Sequence, residues 1–221
     1  VDDAQRIFHL GYLLLLETLD GADSEFGTRS ARLLAQMQQR GYFTSLDLAS
    51  RAGDYRPQVL PALRWLDYLV INELEAQALS GVVLRDDNGI QPPAAFSLAA
   101  QWLAGQGVRQ RVVIHAPEGA WGQEVGGEGI WQPAWQLAPN EIVGSVGAGD
   151  AFCAGVLYAS HEGDDMLSTL QLAHTCARFN LRAANAIDGI RPLTDMRQWM
   201  AQAVCVESRK PSGLTTSAEK T

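Results

Sequence analysis

The residues best equipped for chemistry are Gly147-Ala148-Gly149-Asp150-Ala151-Phe152. The two glycines let the backbone turn so that successive N–H groups converge on one small space. The apolar run 151–160 reads as a buried helix, so that space lies at a helix N-terminus, where an anion is held without side-chain charge. Asp150 sets a carboxylate beside the anion. A cradle with a built-in base meets the needs of phosphoryl transfer to a hydroxyl. The competing reading is a tight connection into a helix, with no ligand. A dinucleotide-binding GxGxxG does not fit: Phe152 stands at the third glycine position, and helices follow where a βαβ unit is required.

A second candidate is Asn72-Glu73-Leu74-Glu75, at the end of a strand-like run. Asn72 and Glu75 lie one helical turn apart and can face the same space. Mg²⁺ takes oxygen ligands and keeps several waters, so this pair suits an outer-sphere site on a nucleotide. The same residues also make a capping box, and both readings can hold together. The third piece runs His115-Ala116-Pro117-Glu118-Gly119-Ala120-Trp121, a strand turning into another strand or an ordinary connection. Asp47 and Arg51 follow a strand at the end where an acceptor would lie, or simply cap a loop. His9, His161 and His174 share no ligand spacing.

These pieces need a scaffold that gathers them. Strands are expected at 7–16, 42–48, 68–71 and 111–115, and helices at 28–39, 59–66, 76–79, 94–104, 150–160, 166–184 and 195–206. Segment 119–139, rich in Gly, Trp and Pro, reads as short antiparallel strands and turns. Residues 208–221 read as a disordered tail after a core spanning 1–206. Alternating strands and helices imply an α/β fold, a mostly parallel central sheet with helices on both faces. Ligands in such sheets bind at the carboxyl ends of strands, where Asp47, Asn72, His115 and Gly147 fall.

Composition removes several classes. A formal net charge of −8 argues against nucleic acid or an anionic membrane as partner. Lysine occurs only at 210 and 220, so phosphate in the body must be met by backbone N–H groups, arginine or metal, and a Walker-type loop is excluded. The three cysteines (153, 176 and 205) form no CxxC or Cys/His spacing, which fits a reduced cytoplasm rather than a disulfide framework or zinc site. The longest apolar run, 7–16, is too short to span a bilayer and lacks a basic leader.

Taken in order, the three pieces resemble the PfkB-type carbohydrate kinases of the ribokinase-like superfamily. The family signature D-T-x-G-A-G-D-x-F is similar to Gly144-Ser145-Val146-Gly147-Ala148-Gly149-Asp150-Ala151-Phe152, and its NxxE motif to Asn72-Glu73-Leu74-Glu75. The resemblance implies a three-layer α/β/α fold and ATP-dependent phosphorylation of a sugar or sugar-like hydroxyl. Asp150 would be the general base and meet the substrate, with Asp47, by its place after a strand, a second substrate-side candidate. Gly147, Ala148, Gly149 and Asp150 would supply the anion hole, and Asn72 and Glu75 would hold Mg²⁺. Ile114, Ala116, Gly119, Ser145 and His174 would line the nucleotide. A nucleoside kinase of the same fold and a non-catalytic nucleotide-binding remnant are the alternatives. Gly144 replaces the signature's aspartate, which puts monovalent-cation activation in doubt. The family's N-terminal strands, glycine-rich sugar motif and β-lid are not seen before Val1, so the chain reads as truncated at the front. Many members dimerise through that lid; a homodimer stays open.

Overall fold

The computed structural model describes residues 6–207, with side chains described through 203. The expected tail 208–221 and both lysines lie outside the described residues, and Cys205 is described by its backbone alone. In chain order the elements are β1 (Ile7–Leu13), a ribbon of β2 (Ala22–Asp23) and β3 (Gly27–Thr28), α1 (Arg29–Gln39), β4 (Phe43–Leu48), α2 (Arg56–Leu63), β5 (Tyr68–Asn72) and α3 (Glu73–Ser80). A second ribbon, β6 (Arg85–Asp86) and β7 (Gly89–Ile90), precedes α4 (Pro93–Gly105), β8 (Arg111–Ala116), β9 (Gly119–Glu124) and β10 (Gly129–Pro133). A short 3₁₀ turn, Pro139–Glu141, leads to α5 (Ala148–Glu162), α6 (Met166–Asn180) and α7 (Leu193–Glu207).

The six-stranded sheet runs β1-β4-β5-β8-β9-β10. Its first four strands are parallel, and β9 and β10 return antiparallel. Side chains alternate between faces along a strand, and the core divides accordingly. Leu46, Leu69, Ile71, Val112 and Ile114 pack with α1–α4, whereas Val70, Val113 and Ala120 pack with Phe152, Cys153 and Val156 of α5 and Leu170 and Ala173 of α6. Both faces are therefore covered, which gives the three-layer α/β/α arrangement.

The α5–α6 face of β1 and β4 differs in kind. His9, Ser45 and Asp47 alternate with the apolar Leu10, Leu46 and Leu48, so they form a polar stripe on that face. His9 Nδ1 and Ser45 Oγ lie 2.7 Å apart, and His9 Nε2 is 3.7 Å from Asp47 Oδ2.

Several sequence expectations shift: the helix expected at 59–66 is α2, Arg56–Leu63. Within 7–16, expected as a strand and its exit, strand β1 ends at Leu13, after its pairing with β4 slips between Leu10 and Leu13 and before Leu14, whose φ is +85°. Helix α6 stops at Asn180 rather than 184. There the chain folds back: Asn180 Nδ2 donates to the Ala186 carbonyl at 2.7 Å, and a Cβ on Gly189 would stand 2.3 Å from the Phe179 oxygen. The returning loop 181–189 becomes a wall behind the Gly147 turn.

Candidate active site

Helix α5 is capped at its start by Gly147, whose φ of +77° is a left-handed conformation that favours glycine. Space enforces the same residue, since a Cβ here would lie 2.5 Å from Ala186 Cβ. The turn directs N–H groups outward. Among the described residues those of Gly147, Gly149 and Asp150 have no acceptor, whereas Ala148 N–H is already used on the Ser145 carbonyl at 3.2 Å. The expected four-donor cradle is thus narrower by one. Ser145 serves it through its backbone.

Asp150 sits in the exposed first turn of α5. Its Oδ2 accepts a hydrogen bond from the Tyr12 hydroxyl at 3.0 Å. Tyr12 in turn donates its backbone N–H to Asp47 Oδ1. Two acidic residues separated by a hundred positions are thereby joined through one tyrosine. Nothing in composition or periodicity marks Tyr12; the one available signal was Gly11, since a glycine inside a strand pattern suggests a bulge.

Asn72 and Glu75 lie where strand β5 gives way to α3, locked in a reciprocal capping box. Glu75 N–H donates to Asn72 Oδ1 at 2.9 Å, and Asn72 N–H donates to Glu75 Oε2 at 3.0 Å. Ser50 Oγ donates to Glu75 Oε1 at 3.2 Å. Burial pushes the Glu75 carboxyl up to about 7, with the charge of Asp47 adding to the rise against the opposing hydrogen bonds. A carboxylate so desolvated is one whose charge a cation stabilises. Both oxygens already accept a bond, and among the described residues no three His, Cys, Asp or Glu side chains gather as a metal site. This donor set fits Mg²⁺ held through waters, not a closed protein cage.

The remaining predicted residues scatter. Ala116 ends β8 and is buried; Ile114 is wholly buried and faces the α1–α4 core. Gly119 is required by packing, for a Cβ would stand 2.5 Å from the Trp131 ring. His174 lies inside α6, bonded through Nε2 to the Gln132 carbonyl at 3.1 Å and edge-on to Phe152. Its bonding is accounted for without a nucleotide. His115 is nearer the cradle: a Cβ on Gly149 would lie 3.7 Å from its Cε1, and its ring packs on Phe152 at 4.8 Å. Burial lowers both imidazoles to about 4, His174 adding to the depression at His115.

Two further features were not foreseen. Arg85 ties the start of α3 to the β8–β9 turn, reaching Glu73 Oε1 at 2.8 Å and both Glu118 oxygens at 3.1 and 2.6 Å. Gly144 abuts the loop 181–189, so that a Cβ would stand 2.9 Å from the Ala183 carbonyl. An aspartate there would need that loop to move.

This architecture recurs in solved structures. A ribokinase from Arabidopsis thaliana complexed with ribose and ATP is 22% identical and superposes with a TM-score of 0.65, over 77% of this chain and 51% of that one. A ribokinase II from E. coli in complex with ATP and Mg²⁺ is 18% identical, TM-score 0.65, over 89% and 58%. An aminoimidazole riboside kinase from Salmonella enterica is 16% identical, TM-score 0.64, over 89% and 63%. The chain therefore spans between half and two thirds of those structures. No curated protein sequence matches it. The model of the pfkB family carbohydrate kinases matches residues 5–192, which include the Asn72–Glu75 box, the Gly147 turn and Asp150, and the chain belongs to that family.

Proposed function

We propose that this chain carries the nucleotide-binding and catalytic part of an ATP-dependent kinase that phosphorylates a hydroxyl of a sugar or sugar-like substrate. The observation that carries this reading is Asp150 in the first turn of α5, beside N–H groups that have no acceptor of their own. Asp150 takes the proton of the acceptor hydroxyl as its oxygen attacks the γ-phosphorus of ATP. A carboxylate at a helix N-terminus is a weak base, because the dipole favours its ionised form. That suffices for a loose transition state, in which positioning and charge stabilisation outweigh base strength. The N–H groups of Gly147, Gly149 and Asp150 hold the charge that develops on the transferred group. Asn72 and Glu75 would hold Mg²⁺ through its waters, and the ion would offset phosphate charge. The polar stripe of His9, Ser45 and Asp47 lies on the acceptor's side of Asp150.

The test is transfer of labelled phosphate from ATP to D-ribose, D-fructose and adenosine by the 221-residue chain. Asp150→Asn should lower turnover by ~100-fold or more while leaving ATP binding in place. Unchanged turnover in that variant sinks the assignment of the base.

A further inference from the structure

Tyr12 has no role in the reading above, yet it touches the atom that matters most to it. It stands in the irregular stretch of β1 with φ +57°, a conformation uncommon for an aromatic residue, and Leu14 follows at +85°. Such backbone persists only where surrounding contacts fix it. Here Asp20 accepts the N–H groups of Leu14 and Leu16, both at 3.0 Å, and Asp47 accepts that of Tyr12. The result is an exposed ring, 51% accessible, whose hydroxyl rests 3.0 Å from Asp150 Oδ2. A hydroxyl giving its proton to that carboxylate would have to stand at the same distance.

We propose that Tyr12 is a gate that selects the acceptor against water. Its hydroxyl fills the acceptor's place on Asp150 until a substrate hydroxyl displaces it. The inference rests on Asp150 as base. The side reaction it suppresses is explicit: a water oxygen attacks the γ-phosphorus, the bond to the β–γ bridging oxygen breaks, ADP leaves, and the water's proton passes to Asp150. A water reaching Oδ2 would be as well placed as a sugar hydroxyl. The phenol occupies that position, and its own proton is held tightly, because the hydrogen bond and charge of Asp150, with a smaller contribution from Asp47, raise its pKa above the ordinary value of 10. A polyhydroxy acceptor can offer the polar stripe several hydroxyls in exchange for the contact it breaks; water offers one.

Phosphate release from MgATP without acceptor, measured on the 221-residue chain, tests this. Tyr12→Phe leaves a water-sized gap beside Oδ2 and should raise release about tenfold, as expected for one lost hydrogen bond to a charged group. Adding Asp150→Asn to Tyr12→Phe should remove the gain. If Tyr12→Phe gives no gain while Asp150→Asn lowers release, the gate is overturned and the base assignment stands. If the gain survives Asp150→Asn, the base assignment falls and the gate falls with it. A second measurement needs no turnover. The Tyr12 phenol, isolated as the difference between wild type and Tyr12→Phe in ¹³C-tyrosine NMR, should titrate above 10 and move down in Asp150→Asn; an ordinary titration in the wild type overturns the gate whatever the rates.

Discussion

Glu75 carries a desolvation cost that the proposed Mg²⁺ would offset. Its carboxyl sits at about 7 in the folded chain against an ordinary 4.5, so the folded state holds the extra proton between those values. Stability from this group is therefore full below about pH 4.5 and is lost as pH rises through 7, by up to about 3 kcal/mol at 1.36 kcal/mol per unit. Glu75→Gln keeps the capping box, whose third position accepts glutamine. We expect its urea midpoint to match wild type near pH 4.5 and exceed it at pH 8, with millimolar Mg²⁺ and ATP narrowing the gap. The Asn72–Glu75 capping box and the place of Asp150 in the first turn of a helix were legible from residue type and spacing, because both are set by local backbone geometry. Tyr12 was not, since a slip in strand pairing brings it to Asp150. His174 could have been either core or contact on sequence alone. Only the Gln132 carbonyl against its ring accounts for its bonding within the core.

Among the elements, α5 depends most on the residue that caps its start, Gly147. In Gly147→Ala the new methyl meets Ala186 in a left-handed turn, and we expect a loss of about 2 kcal/mol in urea unfolding, with weaker ATP binding by equilibrium dialysis. Helix α3 and the β8–β9 turn share Arg85. Replacing it by Met leaves Glu73, which is 6% exposed, without its cation. The expected cost is about 2 kcal/mol, together with faster amide exchange at Glu118 and Gly119. The sequence reading located most helices and strands because caps and apolar periods are local. It ran α6 on to 184 because residues 181–184 differ little from helix in composition. The helix ends through Asn180 and Gly189, which bind the returning loop, and that contact has no local signature. The same loop gives Gly144 a packing reason, where sequence alone had marked only a departure from the family signature.

At the scale of the whole molecule, the layered fold was readable because β5 and β8 are apolar on both faces, as strands covered on two sides must be. Two neutral histidines sit between the layers, His115 on β8 and His174 on α6, both lowered to about 4 by burial. A lowered histidine contributes stability above its unfolded value of 6.5, and that contribution disappears as pH falls through 4. We expect the midpoint for urea unfolding to fall steadily between pH 6.5 and 4, and His174→Gln to flatten the decline. The polar stripe of β1 and β4 could not be assigned from sequence, because an alternation of polar and apolar residues also describes a solvent-facing strand. The hydrogen bond from Tyr12 to Asp150 joins residues 138 positions apart, from the first strand to the fifth helix. A contact spanning 138 positions of the 221-residue chain carries the entropy cost of closing a long loop. Tyr12 ionisation thus also reports whether the first strand and the fifth helix have come together.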